Sequence, residues 1–261
     1  MTVDVNVSLS HWPCRRLPLD QTSKLVNYLA MKGVTQAWAG TFEAILHNDL
    51  ASANQRLADE CRSAGANNLL MPIGAIHVGL PRWEEDLKRC HEIHGMRGIR
   101  LLPGYHWYAL DDERLRQLLE LVDDYRMLVQ IAVRLEDPRT QHRLLSVKDV
   151  DLKPLLTLIA EHSQVPILLL NALSSSNAEL HTQLAVAGRI YFDLSTLEGL
   201  AGLERQLTNL PAERLLFGSH SPFFVFESAE FKLTESALPA PIIEQIAHQN
   251  AEKLLASTMP R

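Results

Sequence analysis

Along the chain, short apolar runs alternate with longer stretches whose apolar residues recur every three or four positions. The first run, VDVNVSLSHW (3–12), has a period of two: Val3, Val5, Val7 and Leu9 alternate with Asp4, Asn6 and Ser8. Successive strand side chains point to opposite faces, so this spacing predicts a strand at 3–8 with a polar row on one face. Such a row is either functional or an internal hydrogen-bond ladder at the mouth of a barrel. An amphipathic helix follows at 20–33, with Gly33 as its stop.

The pattern then repeats. Strands are expected at 34–40, 69–77, 97–103, 127–134, 165–171, 189–195 and 214–220. The helices between them are expected at 43–65, 82–95, 111–125, 150–163, 178–188 and 197–210, with a closing helix at 240–255. Apolar strands separated by helices imply parallel pairing with helical crossovers, and eight such units close into a (β/α)8 barrel. An open doubly wound sheet would carry a Gly-rich phosphate turn, and neither GxGxxG nor GxxxxGK[ST] occurs. No linker divides the chain, so residues 1–261 are expected to form a single domain. The longest connections, 135–149 and 221–240, are candidates for an active-site lid.

Composition narrows the function. With 261 residues, 46% of them apolar, the chain can bury a sizeable core. A formal net charge of −6 gives no basic surface for a nucleic acid. Three scattered cysteines, Cys14, Cys61 and Cys90, form no CxxC or Cys/His cluster and read as free thiols in a reducing compartment. No apolar stretch is long enough to span a bilayer, and the N-terminus has no basic region leading into an apolar one, so a cytoplasmic location is expected. The expected partner is a small-molecule substrate, with a homodimer allowed.

In a barrel of this kind the working groups lie at the carboxyl ends of the strands. That rule collects Asn6, Ser8 and His11, Glu43 and His47, His77, Arg100, Tyr105 and His106, Arg134, Glu136, Arg139 and His142, Asn171, Asp193, and His220. His91, His94, His162, His181 and His248 fall on helices and are expected to face solvent or neighbouring helices.

LLFGSHSPF (215–223) resembles the strand-8 "GSDxP" stretch of the amidohydrolase-related, metal-dependent TIM-barrel hydrolases, and QIAHQNAEKLL (245–255) resembles their closing "N-A-x-x-L" helix. DVNVSLSHWP (4–13) resembles the family's "D-x-H-x-H" opening, and RGIRLLPGYHWY (97–108) its fourth strand segment. The resemblance implies a divalent ion held by two strand-1 histidines, a strand-5 histidine, often a strand-6 histidine, and a strand-8 aspartate. Asn6 and Ser8, Ala132, Asn171 and His220 stand in those places, so no metal ligand is assigned and no cofactor is expected. A zinc site needs three or four convergent N, S or carboxylate donors. A rebuilt zinc site using His220, His77, His106 or His11 is the alternative.

The reading is therefore a hydrolase acting on an ester, lactone or amide of a small, polar, carboxylated substrate, with the metal weak or absent. His220 is expected to activate water, unless it only bonds Asn6 or Asn171. Arg100 and Arg134 are expected to hold anionic groups, with Asn6 and Asn171 donating to the developing oxyanion; for Arg100 the alternative is pairing with Asp4 or Asp193. Tyr105, His106, Glu43, His77, Ser8 and His11 are expected to line the pocket. A non-catalytic binding barrel and a decarboxylase-type lyase are the other readings.

Overall fold

β1 (Thr2–Leu9) does not keep the simple alternation its sequence suggests. Its parallel pairing with β2 (Val34–Thr41) shifts register between Thr2 and Val3 and again between Asp4 and Val7. Val3 and Val5 consequently pack inside the barrel, whereas Val7 and Leu9 pack against the helices. Asp4, Asn6 and Ser8 are all buried. The computed structural model describes residues 1–63, 69–173 and 178–258.

β2 pairs with β3 (Leu70–Pro72), and a second run begins at β4 (Gly74–Ala75) and continues through β5 (Gly98–Leu101), β6 (Leu128–Ala132), β7 (Ile167–Leu170), β8 (Ile190–Asp193) and β9 (Leu215–Leu216), every pair parallel. β3 and β4 form one barrel strand broken at Ile73, whose N–H still donates to Ala39 O at 2.8 Å. The seam between last and first strands closes through Val5 N to Phe217 O and Ser8 N to Ser221 O, both 2.9 Å. The result is the (β/α)8 barrel expected from the strand count.

Side chains sort by strand face. On β6 and β7, Val129, Ile131, Ile167 and Leu169 join helix residues such as Leu25, Leu118 and Leu155 in the outer core. Leu128, Leu168, Leu170 and Leu216 meet Val5 and Trp38 inside, with Ala251 and Leu254 of the closing helix below them. A third cluster caps the mouth: Trp12, Phe42 and Tyr105 are buried with inward-facing Ala75 and Ala132, and Phe223 packs on them. Trp12 lies edge-on to Phe42, Tyr105 and Phe223 at centroid distances of 5.3, 6.0 and 4.8 Å.

The helices are α1 (Thr22–Met31), α2 (Leu50–Ser63), α3 (Trp83–Glu92), α4 (Glu113–Asp124), α5 (Leu155–Glu161), α6 (Ala178–Ala187), α7 (Gly202–Gln206), α8 (Phe226–Thr234), α9 (Ala240–Glu244) and α10 (Asn250–Ala256). Two expectations need correction. The helix expected from Glu43 is instead a 3-10 turn over Phe42–Ile45, and α2 starts afresh at Leu50. Asp49 explains the restart, since its carboxylate accepts from Ser52 N at 3.0 Å and Ser52 Oγ at 2.6 Å as a helix cap does. Residues 64–65 of that expected helix lie outside the described residues. The connection at 221–240, expected as a loop, contains α8, which buries Phe226, Ala229 and Leu233 on one face. No described helix is long and apolar enough to cross a membrane.

Between the inner apolar layer and the mouth lies a polar layer centred on Arg100. Its Nε donates to Gln130 Oε1 at 2.8 Å, and its Nη1 to Val7 O and Ser8 Oγ, both at 3.1 Å. Gln130 in turn donates to Val5 O at 2.9 Å. Gly40 faces this guanidinium so closely that an added Cβ would stand 2.5 Å from Nη1. The arginine is pinned on several sides and cannot yield, so Gly40→Ala should destabilise the protein by about 1–3 kcal/mol as overpacking does. Thermal unfolding of the variant measures this, and an unchanged midpoint would show that Arg100 can swing aside.

Candidate active site

Asn6 projects from the bulged part of β1 and donates through one nitrogen to two partners, Asn171 Oδ1 at 2.8 Å and Asp193 Oδ2 at 2.7 Å. Asp193, at the end of β8, also accepts from Asn171 N at 2.7 Å. Asn171 follows β7 in a left-handed conformation (φ 57°), which asparagine tolerates better than most residues. Its Nδ2 donates to Arg134 O at 2.7 Å and approaches His220 Nδ1 at 3.5 Å, while its Oδ1 also accepts from Ser195 Oγ at 2.7 Å. Both amides are thus spent within the protein.

His220 has the same left-handed backbone (φ 57°). Its Nε2–H donates to Leu135 O at 2.7 Å, which leaves Nδ1 as the acceptor facing Asn171. Burial pushes its pKa down to about 4, and nearby Arg100 pushes it the same way, so the ring is neutral at pH 7. Nε2 is committed to Leu135 O, and Nδ1 is buried below Asn171, with His220 only 1% exposed. The sequence expectation that His220 acts as the base therefore meets a buried, neutral ring bonded through Nε2 to Leu135 O.

Arg100 is sealed below this network, and its donors go to neutral oxygens of Gln130, Val7, Ser8 and Trp38. Burial lowers its pKa to about 10, with Asp193 and Asp4 opposing that shift. It is 3% exposed and does not line the cavity described below, and among the described residues it does not form the ion pair considered as its alternative. Asp4 accepts at Oδ1 from Ser219 N (2.9 Å) and Asn6 N (3.1 Å), while its Oδ2 has no partner among the described residues. Burial raises its pKa to about 7.

The remaining candidates disperse. His11 is exposed, with Nδ1 3.4 Å from Asp20. Glu43 pairs with Arg56 at 2.6 Å, and His47 is exposed beyond the turn. His77 and His106 stack at 4.2 Å, with His106 Nε2–H donating to Ala44 O at 2.8 Å. Tyr105 belongs to the aromatic cap. Arg139 pairs with Asp137 at 2.5 Å on the surface. His181 is fully buried against Phe192 rather than solvent-facing.

Because the aromatic cap fills the mouth over Ala75 and Ala132, the open space lies to one side. A cavity of about 710 Å³ opens among the loops after β6, β7, β8 and β9. Arg134, Glu136, Asn171, Thr196, Gln206 and Lys232 line it, beside Phe223 and Phe224. Arg134 Nε, Glu136 Oε2, Thr196 Oγ1 and Gln206 Nε2 are buried atoms with no hydrogen-bond partner among the described residues. Glu136 is buried with its other oxygen paired to Arg15, which also stacks over Phe223 at 5.7 Å. Lys232 donates to Leu194 O at 3.1 Å and Ser195 O at 2.6 Å, and burial lowers its pKa to about 8.

The amidohydrolase family model matches residues 16–256. The chain belongs to the amidohydrolase family. No curated protein matches it. Among solved structures, an uncharacterized TIM-barrel protein from Bordetella bronchiseptica is 16% identical, with a TM-score of 0.74 over 98% of this chain and 99% of that one. A dihydroxybenzoic acid decarboxylase from Polaromonas, with bound manganese and 2-nitroresorcinol, is 13% identical, with a TM-score of 0.75 over 99% and 98%. The 4-oxalomesaconate hydratase of Rhodopseudomonas palustris is 12% identical, with a TM-score of 0.68 over 98% and 96%. At such identities the likeness is one of fold.

The family's divalent ion does not fit the residues standing in its place. Asn6 and Asn171 hold each other, Ala132 offers no donor, His220 is bonded at both nitrogens, and Ser8 accepts from the Arg100 guanidinium. A fixed cation beside those positions opposes a second one, and Asp193 is their main anionic group, already accepting from Asn6 and Asn171.

Lys232, Thr196 and Gln206 escaped the sequence reading. Lys232 lies on α8, inside the stretch expected as a lid, and a short apolar spacing at 226, 229 and 233 was the available signal. Asp4 yields a prediction. Its folded pKa lies above the ordinary carboxylate value, so the folded chain holds that proton more tightly than the unfolded one. The associated stability is present below about pH 4 and is lost as pH rises through 7. Asp4→Asn should therefore exceed the wild-type unfolding temperature by a clearly larger margin at pH 8 than at pH 5; an equal difference at both pH values would contradict this.

Proposed function

We propose that this chain is a hydrolase of the amidohydrolase fold that cleaves an ester, lactone or amide of a small carboxylated substrate, in the side cavity and without a tightly held divalent ion. The observation carrying this reading is Glu136: a buried carboxylate on the cavity wall with Oε1 paired to Arg15 and Oε2 unpartnered. In this reading Oε2 takes a proton from water, and the resulting hydroxide attacks the substrate carbonyl carbon. The carbonyl oxygen gains the charge, and Arg134 Nε, an unpaired donor on the same wall, stabilises it. On collapse, Glu136 returns the proton to the leaving oxygen or nitrogen. Phe223 and Phe224 supply the apolar side that limits water.

The base thus shifts from His220 to Glu136. His220, Asn6 and Asn171 become the support on which the cavity floor is built, and Arg134 keeps its substrate-binding assignment.

A second reading is decarboxylation of a carboxylated substrate. It is favoured by the cationic Arg134 and Lys232 on one cavity and by similarity of fold to a protein named as a decarboxylase. Carbon dioxide release separates it from hydrolysis in the same assay.

The test is a screen of carboxylated γ- and δ-lactones and of 4-nitrophenyl esters of dicarboxylic acids, using protein dialysed against chelator. Hydrolysis should survive chelation, and elemental analysis should find well below one divalent ion per chain. Glu136→Gln should lower kcat by about a hundredfold or more with KM little changed. An unaltered kcat would remove Glu136 from the chemistry, and turnover only with added metal would overturn the metal-free reading. No hydrolysis or decarboxylation of any probe would favour a non-catalytic binding barrel.

A further inference from the structure

Three donors from separate elements line the β8 side of the cavity. Lys232 comes from α8, Thr196 from the loop after β8, and Gln206 from the end of α7. An ammonium carries three N–H groups, and two of those on Lys232 go to Leu194 O and Ser195 O, which leaves one for a ligand. Thr196 Oγ1 and Gln206 Nε2 are buried without partners among the described residues, and Gln206 as a whole is only 8% exposed. Buried donors left unsatisfied are costly, and a ligand acceptor would relieve all three together.

The charge around them sets the class of ligand. Lys232 is the cation of the trio, and Asp193 and Glu198 lie close enough to act on it electrostatically. One positive charge tempered by two acids, with two neutral donors, suits a planar monoanion better than a phosphate dianion. We propose that Lys232, Thr196 and Gln206 form a subsite that holds the carboxylate of the ligand at the end of the cavity away from the β6 loop. The inference deepens the reading of the cavity as a reaction site and rests on it only for what happens at the other end. Glu136 and Arg134 follow β6, two strands from β8, and two strand spacings amount to roughly 10 Å. The substrate is then one in which a ring or several carbons separate the carboxylate from the reacting bond.

The test reads binding, so an absence of turnover leaves it standing. The full chain is titrated at pH 7 with benzoate, with benzamide as its uncharged counterpart and with inorganic phosphate, by calorimetry and thermal unfolding. Benzoate should bind and raise the unfolding temperature, while benzamide and phosphate bind at least about tenfold more weakly. Lys232→Met should weaken benzoate about tenfold or more, with Lys232→Arg restoring most of the loss. Because Lys232 also holds two carbonyls, Gln206→Leu provides an independent arm: its amide nitrogen has no partner to lose, and benzoate should weaken several-fold. Equal affinity for benzoate and benzamide, tighter binding of phosphate than of benzoate, or unchanged benzoate affinity in both Lys232→Met and Gln206→Leu would overturn the subsite.

Discussion

The amide of Asn6 is the tie on which the working end of this barrel depends. One nitrogen, donating to Asn171 and Asp193, links β1 to the ends of β7 and β8 across the interior. Asn171 then reaches Arg134 and His220, and His220 reaches Leu135, so the loops after β6 and β9 are fixed by the same chain of bonds. A network satisfied at each of these steps behaves as a rigid unit, because no member can move without leaving a buried polar atom unpaired. The double register shift in β1 is what brings Asn6 to that position.

Three ionisable groups lie within this frame with no carboxylate–guanidinium pairing among the described residues. Arg100 is solvated by neutral oxygens, while Asp4 and Asp193 are held by N–H donors and raised in pKa by burial. The protein has thereby kept polar side chains at the carboxyl ends of its strands while making them structural. Among the described residues, four unsatisfied buried atoms share one side cavity, at Arg134, Glu136, Thr196 and Gln206, while those of Asp4, Trp12 and Tyr105 lie away from its lining. That grouping of four unsatisfied polar atoms on one open cavity is the basis for placing ligand chemistry off-centre.

The barrel itself was legible in the sequence because eight apolar runs separated by amphipathic stretches leave few other closures. Strand 1 was legible as polar and buried but not in register, since a bulge changes the face of Val5 relative to Val7 without altering the residue pattern. Position in the chain sent Asn171 and His220 past the ends of their strands, where they lie, but Asn6 falls inside β1, at its bulge. It could not tell that their hydrogen bonds would be used on one another, because that depends on partners up to 187 residues apart. Lys232 was hidden for a different reason: α8 is short, and its apolar face of Phe226, Ala229 and Leu233 lies in a segment rich in phenylalanine and glutamate that reads as a connection.

The aromatic cap of Trp12, Phe42, Tyr105 and Phe223 carries a consequence for re-engineering the fold. Histidines placed at positions 6, 8 and 132 would stand below these rings and beside the Arg100 guanidinium, with the open cavity reaching them only from the Asn171 side. Engineering a metal centre into this barrel therefore means displacing Arg100 as well as supplying ligands, and any substrate would have to approach from the side rather than along the axis.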